Sequence, residues 1–139
     1  MSLAKVTITI ATTMLAAFPG KTAAQDSTAS AARPAVYSDQ QAARGRDIYL
    51  GICQGCHTTA SHTGAEFQNG WAGRTLSDLF RYVSQTMPKN DPASLSAQEY
   101  ADVVAYLLKL NGLPSGKDEL PTDTTTLGKM RLPAAKKEH

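Results

Sequence analysis

GICQGCHTTA, residues 51–60, holds both cysteines of this 139-residue chain, two residues apart, with His57 directly after the second one. Thiol and imidazole groups bind transition metals and form covalent bonds, so the chemistry of the protein is expected to lie in this C-x-x-C-H stretch. Three kinds of site use cysteines at such spacing: a structural zinc site, a thioredoxin-like redox pair, and an attachment site for haem.

The first two kinds of site need partners that the chain does not offer. A structural zinc site has four ligands, usually as two pairs, and the other histidines, His62 and His139, do not form a second pair. A thioredoxin-like pair lies in a βαβ pattern, and no stretch of four or more residues after the N-terminal segment alternates like a half-buried strand. Both alternatives are therefore disfavoured.

Covalent haem attachment uses all three side chains. The thiols of Cys53 and Cys56 would add to the two vinyl groups on one porphyrin edge, and His57 would then bind the iron as the proximal ligand. In an oxidising compartment a close thiol pair without haem tends to form a disulfide, so export favours the same interpretation. The motif predicts one covalently attached haem c.

The N-terminal stretch MSLAKVTITIATTMLAAFPGKTAAQD, residues 1–26, has the pattern of a secretory signal peptide. A lysine precedes a mostly apolar run over residues 6–18, and Thr22 and Ala24 are the small residues expected before a cleavage site. The apolar run is shorter than the roughly 20 residues that span a bilayer. We expect cleavage after Ala24 and export to the periplasm without stable membrane insertion, a retained anchor being the alternative.

The charge of the mature chain is close to neutral. Cleavage after Ala24 would remove two of the 14 basic residues and none of the 12 acidic ones. The one dense basic cluster is Lys136 and Lys137, near the C-terminus. A neutral surface gives little attraction to nucleic acid, so no nucleic-acid partner is expected.

Three helices are predicted, each from a polar cap followed by apolar residues at helical spacing. The caps and their partners three residues on are Ser38 with Gln41, Thr75 with Asp78, and Ser96 with Glu99. The second helix should end before Pro88 and the third at Gly112. The fold class is therefore all-α, with about three main helices in a domain over residues 38–113.

Two segments flank this domain. Residues 25–37 are small and polar, with a proline, and are predicted to be a flexible linker. Residues 114–139 have three prolines and no periodicity, and are predicted to be an irregular tail. Four apolar residues could attach part of the tail to the domain: Leu120, Leu127, Met130 and Leu132.

A haem bound by His57 on one side needs a ligand on the other. The candidates in the mature chain are Met87, Met130, His62 and His139. His62 follows His57 by five residues, too few to reach the opposite face easily. Met87 is 30 residues from His57 in a polar loop, where Pro88 fixes the backbone direction and no helical stripe favours a core role. Met87 is the predicted second ligand, with Met130 in reserve.

Two longer stretches resemble the class I mono-haem c-type cytochromes. They are GRDIYLGICQGCH, residues 45–57, and TMPKNDPASLSAQEYADVVAYLLKLNG, residues 86–112. The resemblance covers roughly residues 38–113 and implies a small cytochrome c fold. It implies that Gly45 and Tyr49 on the first helix cross the last helix near Tyr106, and that the Met87–Pro88 loop provides the axial ligand.

The resemblance also implies further contacts with haem. Trp71 and Arg74, in NGWAGR, resemble groups that donate hydrogen bonds to a haem propionate, whose charge needs donors when buried; a core aromatic and a solvated charge are the alternatives. Many family members have a proline soon after C-x-x-C-H whose carbonyl accepts from the histidine, and residues 58–70 contain none. The apolar haem walls would be Leu76, Leu79, Phe80 and Leu107.

A haem with both axial positions filled has none left for a substrate, so the expected function is single-electron transfer and the protein is not expected to be an enzyme. The segment from NGWAGRTLSDLF through AYLLKLNGLPSGKDEL is most similar to cytochromes and cytochrome domains that accept electrons from periplasmic quinoprotein-type dehydrogenases. Expected partners are such a dehydrogenase and an oxidase or other cytochrome. The alternatives are a haem protein with an open sixth position, ligand-binding or weakly peroxidatic, and a haem subunit of a permanent oxidoreductase complex.

Overall fold

The structure, a computed structural model, describes residues 35–135. The predicted signal peptide, most of the predicted linker, and His139 lie outside these residues. The chain forms α1 (Asp39–Gly51), α2 (Gly64–Trp71), α3 (Leu76–Thr86), α4 (Ala97–Leu110) and α5 (Thr124–Leu127), with 3-10 turns at Cys53–Gly55 and Thr59–His62. Residues 35–135 contain two isolated β-bridges and no strand, which confirms the all-α class.

The three predicted N-caps are present. Thr75 and Ser96 form full capping boxes, in which the cap hydroxyl accepts from the backbone N–H three residues on and the acidic side chain accepts from the cap N–H. Ser38 caps α1 by accepting from the Gln41 N–H at 3.0 Å. The Gln41 side chain departs from the predicted box: it is fully buried and bonds both backbone groups of Leu120, at 3.0 Å and 2.6 Å.

The crossing of α1 and α4 forms the centre of the fold. Gly45 lies directly against the Asp102 carbonyl, where a Cβ atom would overlap backbone. One turn further along α1, the buried Tyr49 ring packs 5.4 Å from the ring of Tyr106, centre to centre. The contact implied by the family resemblance is therefore present.

Helix α2 was not predicted. It contains two glycines and three polar residues in eight, and it buries a single side chain, Phe67, so it has no apolar stripe that a pattern could reveal.

The packed unit extends beyond the predicted 38–113 domain at both ends. Tyr37, assigned to the linker, is buried, and its hydroxyl donates to the Leu113 carbonyl at 2.6 Å. In the predicted tail, Leu120, Leu127 and Leu132 are core residues and α5 interrupts the irregular backbone. The tail also pairs with the start of α3, where the Leu76 N–H donates to the Met130 carbonyl at 2.9 Å.

None of the helices within residues 35–135 is both long and apolar enough to cross a membrane.

Candidate functional site

A cavity of about 410 Å³ lies beside the C-x-x-C-H turn. Its size falls in the range of about 300–1,000 Å³ that small-molecule sites occupy. Helices α1 to α4 and the segment after α3 contribute to its wall, which is mostly apolar. The residues that matter for the site are Cys53, Cys56, His57, Trp71, Arg74, Leu79, Tyr82, Val83, Met87, Val103 and Leu107.

A single tight turn presents the cysteines and the histidine to this cavity. Helix α1 ends at Gly51, and the Cys53 carbonyl then accepts from both the Cys56 N–H, at 3.1 Å, and the His57 N–H, at 2.9 Å. The two thiols are not joined in a disulfide. Cys53 is half-buried, and this burial raises the pKa of its thiol, whereas Cys56 is exposed.

His62 lies beside His57. The centres of the two imidazole rings are 4.7 Å apart. Two imidazoles that bind one metal ion from opposite sides would have their ring centres about 6 Å apart, so this pair is too close to hold an iron atom between its members. Burial, and to a lesser degree the neighbouring His57, lowers the pKa of His62, which favours its neutral form.

Met87 lies on the cavity wall, at the residue that caps the C-terminal end of α3. Its N–H donates to the Val83 carbonyl at 3.0 Å, and its carbonyl accepts from the Tyr100 hydroxyl at 2.7 Å. Met130, the reserve candidate, does not line the cavity and packs instead against the core cluster. The cavity therefore contains His57 and Met87 together.

Trp71 and Arg74 also line the cavity. The Arg74 guanidinium lies 4.6 Å from the centre of the Trp71 ring, in a cation–π arrangement, and donates to the Gly70 carbonyl at 3.4 Å. The C-terminal segment holds this loop, because the Leu132 N–H donates to the Arg74 carbonyl at 2.9 Å and the Gly73 N–H donates to the Pro133 carbonyl at 3.1 Å. That Trp71 and Arg74 donate hydrogen bonds to a haem propionate stays a prediction.

The chain matches a known family of haem proteins. The family model described as cytochrome c oxidase, cbb3-type, subunit III, matches residues 40–107, which run from the first turn of α1 through the C-x-x-C-H turn into α4. Residues 40–107 form a class I c-type cytochrome domain. No curated protein and no solved structure matches it.

The cofactor of this cytochrome is haem c, attached through Cys53 and Cys56. The donor set fits the group. Two thiols at one edge match the two vinyl groups, the adjacent imidazole is the usual proximal ligand, and an apolar cavity suits the porphyrin. Haem-based electron transfer is the function that a cytochrome c domain carries.

Sequence reasoning assigned the apolar walls of the cytochrome only in part. Leu79 and Leu107 line the cavity as expected, but Leu76 and Phe80 do not; they belong to the core cluster. Val83 and Val103 line the cavity and were missed as walls, although each lies on a predicted apolar stripe. The orientation of each stripe toward the cavity depends on how the helices cross, and periodicity alone does not contain that information.

Proposed function

We propose that this cytochrome is a periplasmic electron carrier, with His57 and Met87 as the axial ligands of one haem c. One observation carries the proposal: a single cavity is bordered at one edge by Cys53, Cys56 and His57, and has Met87 on its wall. Met87 is the methionine that lines the cavity, whereas Met130 packs against the core cluster.

The residues of the proposed site favour electron transfer over catalysis on a substrate. Haem c, when bound, supplies a one-electron iron couple. With an imidazole and a thioether in the two axial positions, no position is left for a substrate. The thioether favours a higher reduction potential than a second imidazole would, and the apolar walls from α3 and α4 keep water away and raise the potential further.

Location and partners follow from different features. The signal-peptide pattern of residues 1–26 supports export to the periplasm. The resemblance over residues 69–120 supports a quinoprotein-type dehydrogenase as electron donor, and an oxidase or another cytochrome as acceptor. Mixing the reduced dehydrogenase with the oxidised cytochrome, and following haem reduction by stopped flow, tests the donor.

An optical redox titration of the purified holoprotein tests the electron-carrier assignment. We expect a one-electron Nernst curve, a red-edge methionine-to-iron(III) band in the oxidised form, and no binding of carbon monoxide to the reduced form. Rapid binding of carbon monoxide without prior displacement of a ligand would contradict the proposal and favour a haem protein with an open sixth position.

A second candidate is a haem subunit of a permanent oxidoreductase complex. The matching family model describes a subunit of an oxidase, which favours this candidate. Exposed apolar side chains at the end of α1, Leu50 and Ile52, are also available for a lasting interface. Gel filtration after gentle extraction separates the two: a carrier elutes as the isolated chain, whereas a subunit elutes with a larger oxidoreductase in fixed stoichiometry.

A further inference from the structure

The segment that carries Met87 is a ten-residue connection, residues 87–96, between α3 and α4; we refer to it as the axial loop. It has little backbone bonding of its own: the Asp91 N–H donates to the Pro88 carbonyl at 3.0 Å. The two ends of the loop are joined by one side chain, that of Tyr100.

The Tyr100 hydroxyl bonds both ends of the axial loop. It donates to the Met87 carbonyl at 2.7 Å and accepts from the Leu95 N–H at 3.4 Å. Tyr100 is only 3% exposed, so water does not readily replace these bonds. Its hydroxyl thus links two residues that are eight positions apart in the chain.

The helix that carries Tyr100 holds it in a fixed position. Tyr100 lies in the first turn of α4, where the Ser96 hydroxyl accepts from the Glu99 N–H at 3.2 Å and the Glu99 carboxylate accepts from the Ser96 N–H at 2.8 Å. This capping box orders the first turn of the helix. The hydroxyl is therefore fixed relative to α4, which itself forms part of the cavity wall.

We propose that Tyr100 is a positioning residue that holds Met87 where its sulfur binds the haem iron; this inference rests on the proposed function. A neutral thioether is a weak ligand, so a competing ligand can replace it in the fraction of molecules whose loop has moved away. Removal of the hydroxyl leaves the Met87 carbonyl and the Leu95 N–H without this partner, and so increases that fraction. A competitor then binds with higher apparent affinity in proportion to the fraction that is open.

The test is a titration of the oxidised holoprotein with imidazole, followed by loss of the methionine-to-iron(III) band. For Tyr100→Phe we expect the half-displacing concentration of imidazole to fall about fivefold, the factor expected for loss of the short bond to the Met87 carbonyl, since the 3.4 Å bond from the Leu95 N–H is weak. Tyr37→Phe is the matched control. It removes an equally buried hydroxyl that donates to a backbone carbonyl, that of Leu113 at 2.6 Å, but it touches no residue of the axial loop.

The outcomes separate this inference from the proposed function. A lower imidazole midpoint in Tyr100→Phe, with the wild-type midpoint in Tyr37→Phe, supports Tyr100 as a positioning residue. Equal midpoints in all three proteins, or an equal decrease in both variants, overturn this inference and leave the His57/Met87 ligation standing. Absence of the methionine band from the wild type overturns the ligation itself, and this inference with it.

Discussion

At the scale of single residues, Cys53 and Cys56 share one turn but differ in burial, and both face the same cavity. Replacing both with alanine removes the two thioether bonds and leaves haem held by axial ligands and wall contacts alone. We expect haem to be extractable by acidic organic solvent from this variant and not from the wild type. Release of haem from the wild type under the same conditions would disprove covalent attachment.

How far the sequence predicts the site differs from residue to residue. Cys53, Cys56 and His57 are contiguous, so their motif is sufficient to bring them together. Met87 could be singled out as a candidate ligand because few candidates exist and it lies in a polar loop; the structure places it on the cavity wall, and its binding to iron stays a prediction. The contact of Tyr100 with the axial loop could not be predicted, because a hydroxyl that donates to a backbone carbonyl 13 residues earlier leaves no pattern in the sequence.

At the scale of elements, the α1–α4 crossing depends on Gly45. Its Cβ position is filled by the Asp102 backbone, so Gly45→Ala must separate the two helices or strain them. Overpacking of this kind costs about 1–3 kcal/mol, occasionally more, and denaturant unfolding of the holoprotein should show at least that loss. Gly51→Ala is the control on the same helix, because no atom outside its chain neighbours and its own helix backbone lies within 4 Å of its Cβ position. An equal loss in both variants would contradict the close approach at Gly45.

The two capping boxes predict a dependence of stability on pH. Hydrogen bonds from the hydroxyl and N–H of Thr75 lower the pKa of Asp78, and those from the N–H and hydroxyl of Ser96 lower the pKa of Glu99. A carboxylate whose pKa is lower in the folded state stabilises the protein above its ordinary pKa, and this contribution is lost as pH falls through the folded value.

The melting temperature should therefore decrease as the pH is lowered below about 4.5, which is near the ordinary carboxyl pKa values. This decrease should be shallower in the Asp78→Asn and Glu99→Gln variants than in the wild type. Thermal denaturation at a series of pH values measures it. Identical slopes in the variants and the wild type would show that the caps are not the source of the dependence.

The elements themselves were predicted to different degrees. Helices α1, α3 and α4 have caps and apolar stripes, and their starts at Ser38, Thr75 and Ser96 agree with the structure. Helices α2 and α5 have no apolar stripe, and they are too short to show one clearly. Their positions depend on contacts with the rest of the protein, through Phe67 and Leu127, and propensity gives no sign of those contacts.

At the scale of the whole molecule, the segment after α4 is part of the core. Leu127 is fully buried, and the same segment bonds Gln41 through Leu120 and the Trp71–Arg74 loop through Leu132. Leu127→Ala should lower the free energy of unfolding by about 2–5 kcal/mol. Leu50→Ala, at a leucine that is 47% exposed, should change it by less than about 0.5 kcal/mol. If both variants changed the free energy of urea unfolding by equally small amounts, the segment after α4 would not contribute to the stability of the core.

The identity of the sixth ligand connects all three scales, and the optical spectrum of the oxidised protein tests it most directly in two variants, Met87→Ala and Met130→Ala. We predict that Met87→Ala keeps its haem but loses the methionine-to-iron(III) band, and that its reduced form binds carbon monoxide. Met130→Ala should retain the band, because Met130 packs against the core and not on the cavity wall. Loss of the band in Met130→Ala, with retention in Met87→Ala, would contradict the assignment of Met87.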